Sequence, residues 1–94
     1  VDLIRAIRTG YAYLDQCVEQ FDLGANVVAD LALLKVQATT TLEHCARESM
    51  QVLGGTVYRD HCPVERIFRE SRTFAIGGGT EEVLRDLVAR QLKF

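Results

Sequence analysis

Apolar residues open the chain at steps of three and four: Leu3, Ile4, Ile7, Tyr11, Leu14, Val18 and Phe21. That is the period of one helix face and not of a strand, so a helix is predicted from about residue 2 to residue 21. Asp22-Leu23-Gly24 breaks it. Gly24 suits a left-handed C-terminal position, and Asp22 or Asn26 is available to cap the next helix. Val27, Leu31, Leu34, Ala38, Leu42, Cys45, Ala46, Met50 and Leu53 then keep the same period until Gly54-Gly55 stops it. At a rise of about 1.5 Å per residue this second helix is a rod of about 40 Å. Such a length predicts an elongated bundle whose remaining helices are not all within these 94 residues. The β-branched run Thr39-Thr40-Thr41 lowers its helix propensity, so tertiary packing must hold it.

Thr56 to Cys62 is expected as a loop. Pro63 then opens a third helix, because a missing N–H is no loss at the first helical position. Val64, Ile67 and Phe68 stripe this helix, which is predicted to run to about Phe74. Beyond Gly77-Gly78-Gly79, a fourth amphipathic helix carries Val83, Leu84, Leu87, Val88 and Leu92. With no strand alternation and no internal repeat, the fold class is all-α, an up-and-down helical bundle.

Composition narrows the function classes. At 94 residues the chain is a single domain whose own core is marginal in size. An apolar content of 48%, with one proline, argues against disorder, and a formal charge of −2 supplies no basic field for nucleic acid. No apolar run of about 18 residues could span a bilayer, and no leader pattern opens the chain. Cys17, Cys45 and Cys62 cannot all pair within the chain, so reduced thiols are expected, in the cytoplasm or equally in a mitochondrial matrix.

Candidate chemistry gathers at the glycines. Gln51-Val52-Leu53-Gly54-Gly55 ends the long helix, and its simplest reading is a helix stop. Gly77-Gly78-Gly79-Thr80 precedes a helix whose N-terminal N–H groups could receive a phosphate or carbonyl oxygen. Glu81 and Glu82 in that first turn would repel a phosphate laid directly on it. Neither cluster fits a dinucleotide fingerprint or a P-loop, both of which start from a strand.

Taken together, Gln51 to Gly55, Tyr58, Pro63-Val64-Glu65-Arg66-Ile67-Phe68-Arg69-Glu70, Ile76 to Val83 and Ala89-Arg90 resemble the C-terminal helical domain of the acyl-CoA dehydrogenases, with Lys35 in register. The order and spacing hold over most of residues 30–93. The resemblance implies an FAD-dependent oxidoreductase of fatty acid metabolism that removes two hydrogens from the α and β carbons of an acyl-CoA. Its electrons would pass to an electron-transferring flavoprotein, and it would assemble as a homo-oligomer, a dimer or tetramer. Residues 1–94 are then expected to be the C-terminal bundle of a longer protein, with the flavin-binding domains and one further helix upstream.

Carried over residue by residue, Gln51, Val52, Leu53, Gly54 and Gly55 would contact the FAD of a neighbouring subunit. Thr80 and Glu82 would touch the flavin cofactor, and Gly78 and Gly79 would line the acyl thioester. Most members have a glutamate before the Gly-Thr pair as the base that takes the α-proton. Here that position is Gly78, so no catalytic residue is assigned within the chain. A subset resembling the isovaleryl-CoA and long-chain enzymes takes its glutamate from an earlier helix. Val57, where the family usually has glycine, is a second departure. The rival reading is a non-catalytic helical oligomerisation or interaction module with the same fold.

His44-Cys45 and His61-Cys62 invite a zinc reading, but neighbours on a helix point about 100° apart, so no metal is expected. Cys45 is expected in the core and His44 outside. Arg66, Arg69 and Arg72, with Glu65 and Glu70, read as a solvated or subunit-facing ion network in which Glu65 and Arg69 are an i,i+4 pair.

Overall fold

The computed structural model describes residues 1–59 and 61–94. Four α-helices run in order: α1, Asp2–Asp22; α2, Val28–Leu53; α3, Pro63–Ile76; and α4, Glu81–Gln91, with a 3-10 turn, Gly54–Tyr58, between α2 and α3. No strand occurs among the described residues, and the all-α class stands.

The helix boundaries have local causes. At the end of α1 the N–H of Leu23 donates to Glu19 and that of Gly24 to Phe21, with Gly24 at φ +81°. Asp22 is still helical and caps nothing; the Asn26 side chain accepts from the Val28 N–H at 3.2 Å. Within α2 the hydroxyls of Thr39 and Thr40 donate to the carbonyls of Lys35 and Val36, one turn back, at 3.0 and 2.8 Å. This is how the threonine run is accommodated inside a helix. Gly54, at φ +59°, ends α2 while its N–H still reaches Met50.

The expected loop from Thr56 needs correction. Gly54 to Tyr58 coil into a 3-10 turn around Val57, which is buried and fills the place where the resemblance expects glycine. Five residues with three per turn leave no periodic trace in a sequence. Asp60, also within that expected loop, lies outside the described residues.

The long α2 is the spine, and α1, α3 and α4 each pack on it. Against α4, Ala32 meets Leu84 and Val88, with Val36 and Leu87 around them. Against α3, the fully buried Ser71 satisfies its hydroxyl by donating to the Phe68 carbonyl at 2.6 Å. Against α1, Cys17 is buried and the Tyr13 hydroxyl donates to Asp30 at 2.7 Å. Cys45, expected in the core, is only half-buried, in an apolar groove between α1 and α2, and His44 is exposed.

The result is elongated. Its radius of gyration is 15.7 Å and its extents are 47 × 25 × 20 Å, against about 12 Å for a compact domain of this length. Much apolar surface stays uncovered: Ile4, Tyr11, Val18 and Phe21, all in the stripe that marks α1 as a helix, are 51–66% exposed. The residues of α1 that lean inward are Leu3, Ala6, Gly10, Tyr13 and Cys17, and of these only Leu3 belongs to that stripe.

Candidate functional site

Gly77 closes α3 by donating to the Thr73 carbonyl at 2.8 Å, and a Cβ added to it would stand 3.1 Å from that same oxygen. Gly78 and Gly79 come next at φ +77° and +120°, where L side chains are strained. A Cβ on Gly79 would also press on Leu84 at 3.1 Å, whereas one on Gly78 would meet only Lys35 Cε, at 4.0 Å. Beneath this turn Lys35 of α2, half-buried, donates its ammonium to the Gly79 carbonyl. Thr80 caps α4: its hydroxyl accepts from the Val83 N–H at 3.4 Å and its carbonyl from Leu84 at 2.9 Å. Glu81 pairs with Arg85, and Glu82 is exposed. Two of the three glycines are therefore demanded by the turn's own packing, and only the Gly78 face is open.

At the other glycine cluster Gln51, Val52, Leu53, Gly54 and Gly55 are all exposed. Gly54 is required by its positive φ. Gly55 is not: its φ is unexceptional and a Cβ there would meet nothing within 4 Å. Gln51 and Gly54 share a shallow groove of about 280 Å³ with Met50, Val57, Tyr58 and Phe68. An exposed amide beside bare backbone at a helix end can hydrogen-bond a polar, extended ligand laid across it.

The two clusters are not brought together. Lys35, under the first, and Gln51, at the second, are 16 residues apart on α2, or about 24 Å along its axis.

On α3, Arg69 pairs with Glu65 at 3.1 Å, and Arg72 pairs with Glu43 of α2 at 3.0 Å. Both arginines are well exposed, so each pair contributes little, on the order of 0–1 kcal/mol. Among the described residues no three His, Cys, Asp or Glu side chains gather as a metal site, and no helix is long and apolar enough to cross a membrane. Hydrophobic periodicity does not reveal the polar contact between α1 and α2. Burial first, then the Asp30 carboxylate, pushes the Tyr13 hydroxyl up to about 12, and burial with Asp30 also raises the Cys17 thiol. The i,i+4 spacing of Tyr13 and Cys17 on the inward edge of α1 is the available signal.

Residues 1–93 match the acyl-CoA dehydrogenase C-terminal domain. The chain belongs to the acyl-CoA dehydrogenase family. A crystal structure from Mycobacterium smegmatis, assigned as an acyl-CoA dehydrogenase, superposes with a TM-score of 0.93 at 34% identity, covering 98% of this chain and 24% of that one. Isovaleryl-CoA dehydrogenase of Solanum tuberosum mitochondria is 28% identical over 91 residues, 97% of this chain and 22% of its own length. A 3-sulfinopropanoyl-CoA desulfinase of Cupriavidus necator is 39% identical over 62 residues, 66% of this chain and 16% of its own length. The chain thus spans less than a quarter of the acyl-CoA dehydrogenase family members it matches.

Proposed function

We propose that the chain supplies part of the FAD site and one wall of the acyl pocket in an FAD-dependent acyl-CoA dehydrogenase. Gly55 carries this reading. It is a glycine that no backbone angle and no neighbour within the chain requires, and it sits exposed just past the end of the helix that carries Gln51. A backbone stripped of its side chain, with an amide next to it, fits the polar adenosine and pyrophosphate end of FAD. Gln51 would donate and accept hydrogen bonds there, Gly54 and Gly55 would allow close approach, and the exposed carbons of Val52 and Leu53 would shield the group from water.

At the other corner Thr80 and Glu82 would hold the flavin, while Gly78 and Gly79 would face the acyl thioester. FAD, when bound, is the acceptor for the hydride removed from the β carbon. Gly78 has no side chain with which to take the α-proton, so the base must come from another part of the protein. Electron-transferring flavoprotein is the proposed acceptor of the electrons. The uncovered stripe of α1 suits burial in a homo-oligomer, and cytoplasm or mitochondrial matrix is the proposed compartment.

The test is the absorbance spectrum of the intact protein under a panel of acyl-CoA esters, 3-sulfinopropanoyl-CoA among them. A flavin band bleached by at least one ester is the expected result. The second reading, a non-catalytic helical module, is favoured by the missing carboxylate at Gly78. A full-length protein that carries no flavin would establish it in place of the first.

A further inference from the structure

We propose that Lys35 is a positioning residue for the acyl-thioester wall, acting through the Gly79 carbonyl; this rests on the proposed role of that turn as one side of the acyl pocket. Lys35 lies in the N-terminal third of α2, 44 residues from Gly79, and is half-buried. Among the described residues no carboxylate pairs with it. A partly desolvated ammonium without a counter-charge must be satisfied by dipoles. The dipole it meets is the carbonyl of the second of two positive-φ glycines.

The turn has no side chains of its own between Ile76 and Thr80, so its shape is set by what it is tied to. Gly77 is tied back to α3 and Thr80 forward to α4. Lys35 is the tie to α2 among the described residues, and it holds the last of the three peptides between those two anchors. With the Gly79 carbonyl drawn inward, the N–H of the same trans peptide, that of Thr80, is turned away from α2 toward whatever lies over the turn. The charged donor also polarises this peptide, making that N–H a stronger donor. The Lys35 stem passes under Gly78 with Cε 4.0 Å from where a Cβ would stand, and so forms the floor at the open face. Lys35 fixes both the floor and the aim of the wall without touching substrate.

The experiment compares Lys35→Met and Lys35→Arg in the intact flavoprotein. Amide hydrogen exchange at Gly77, the N–H of the turn that is hydrogen-bonded, is expected to rise at least tenfold in Lys35→Met, while exchange in the middle of α3 is unchanged. With an acyl-CoA that bleaches the wild-type flavin, kcat is expected to fall at least tenfold at equal flavin loading, with KM changed less. Lys35→Arg, which keeps a charged donor, is expected to recover most of kcat. Should Lys35→Met not fold, Lys35→Gln takes its place with the same criteria. Unaltered exchange at the turn, or a loosened turn with kcat within twofold of wild type, would overturn the proposal. If no acyl-CoA bleaches the wild type, the functional reading fails, and the exchange measurement still decides whether Lys35 holds the turn.

Discussion

The two glycine corners look alike in sequence and differ in what they need. At Gly77–Gly79 the glycines answer demands inside the chain: a carbonyl 3.1 Å away, two positive φ angles and a leucine pressed against the third position. At Gly54-Gly55 the first glycine answers a φ angle and the second answers nothing in the chain. One corner is closed upon itself with a single open face at Gly78, while the other is open. A glycine that the fold requires cannot by itself report a ligand. A glycine that the fold does not require can.

Substitutions graded along these positions would break or sharpen that contrast. Gly79→Val is expected to do the most damage, about 3 kcal/mol or more, because a strained φ adds to overpacking against Leu84. Denaturant unfolding of the intact protein reads it, and wild-type stability would mean that the turn relaxes freely. Gly78→Ala keeps the strained angle without the clash, so about 1–2 kcal/mol is expected by the same measurement. A loss equal to that of Gly79→Val would show that the face over Lys35 is not open.

Tyr13→Phe, away from both corners, calibrates the scale. Losing the hydrogen bond to Asp30 is expected to cost about 1 kcal/mol near neutral pH. Its pH signature is separable. Tyr13 ionises near 10.0 unfolded and about 12 folded, so the native state holds this proton more tightly. The stabilisation is full below pH 10 and is lost as the pH climbs toward 12. Wild type minus Tyr13→Phe should show that alkaline decline, and parallel curves would remove the contact. At the small end, Gly55→Ala is expected to be neutral or to stabilise by up to about 1 kcal/mol, since alanine fits the backbone there. A clear loss would put Gly55 with the glycines the fold needs.

Much of the fold is legible in the sequence. The 3.6-residue period locates all four helices, because a helix face must repeat whatever it packs on. It does not say what α1 packs on. Ile4, Tyr11, Val18 and Phe21 mark the helix but stay exposed, and the small inward residues carry no hydropathy signal. Periodicity puts Cys45 too deep for the same reason: Cys17 is the buried thiol. The 3-10 turn is too short to have a period. At the candidate site the order of the motifs identifies the family. It does not tell which glycine is structural, since φ angles and the Leu84 and Lys35 contacts are set by the folded chain and, for Lys35, join residues far apart in sequence.

The central claim is that the open corner is left bare for a molecule outside the chain, and flavin occupancy of Gly55→Val in the intact protein tests it most directly. A branched side chain in open space should leave helix content and melting close to wild type. The account predicts that bound FAD, read from its absorbance after gel filtration, falls at least tenfold in affinity. Full flavin loading in a folded Gly55→Val protein would contradict it and reduce Gly54-Gly55 to a helix stop.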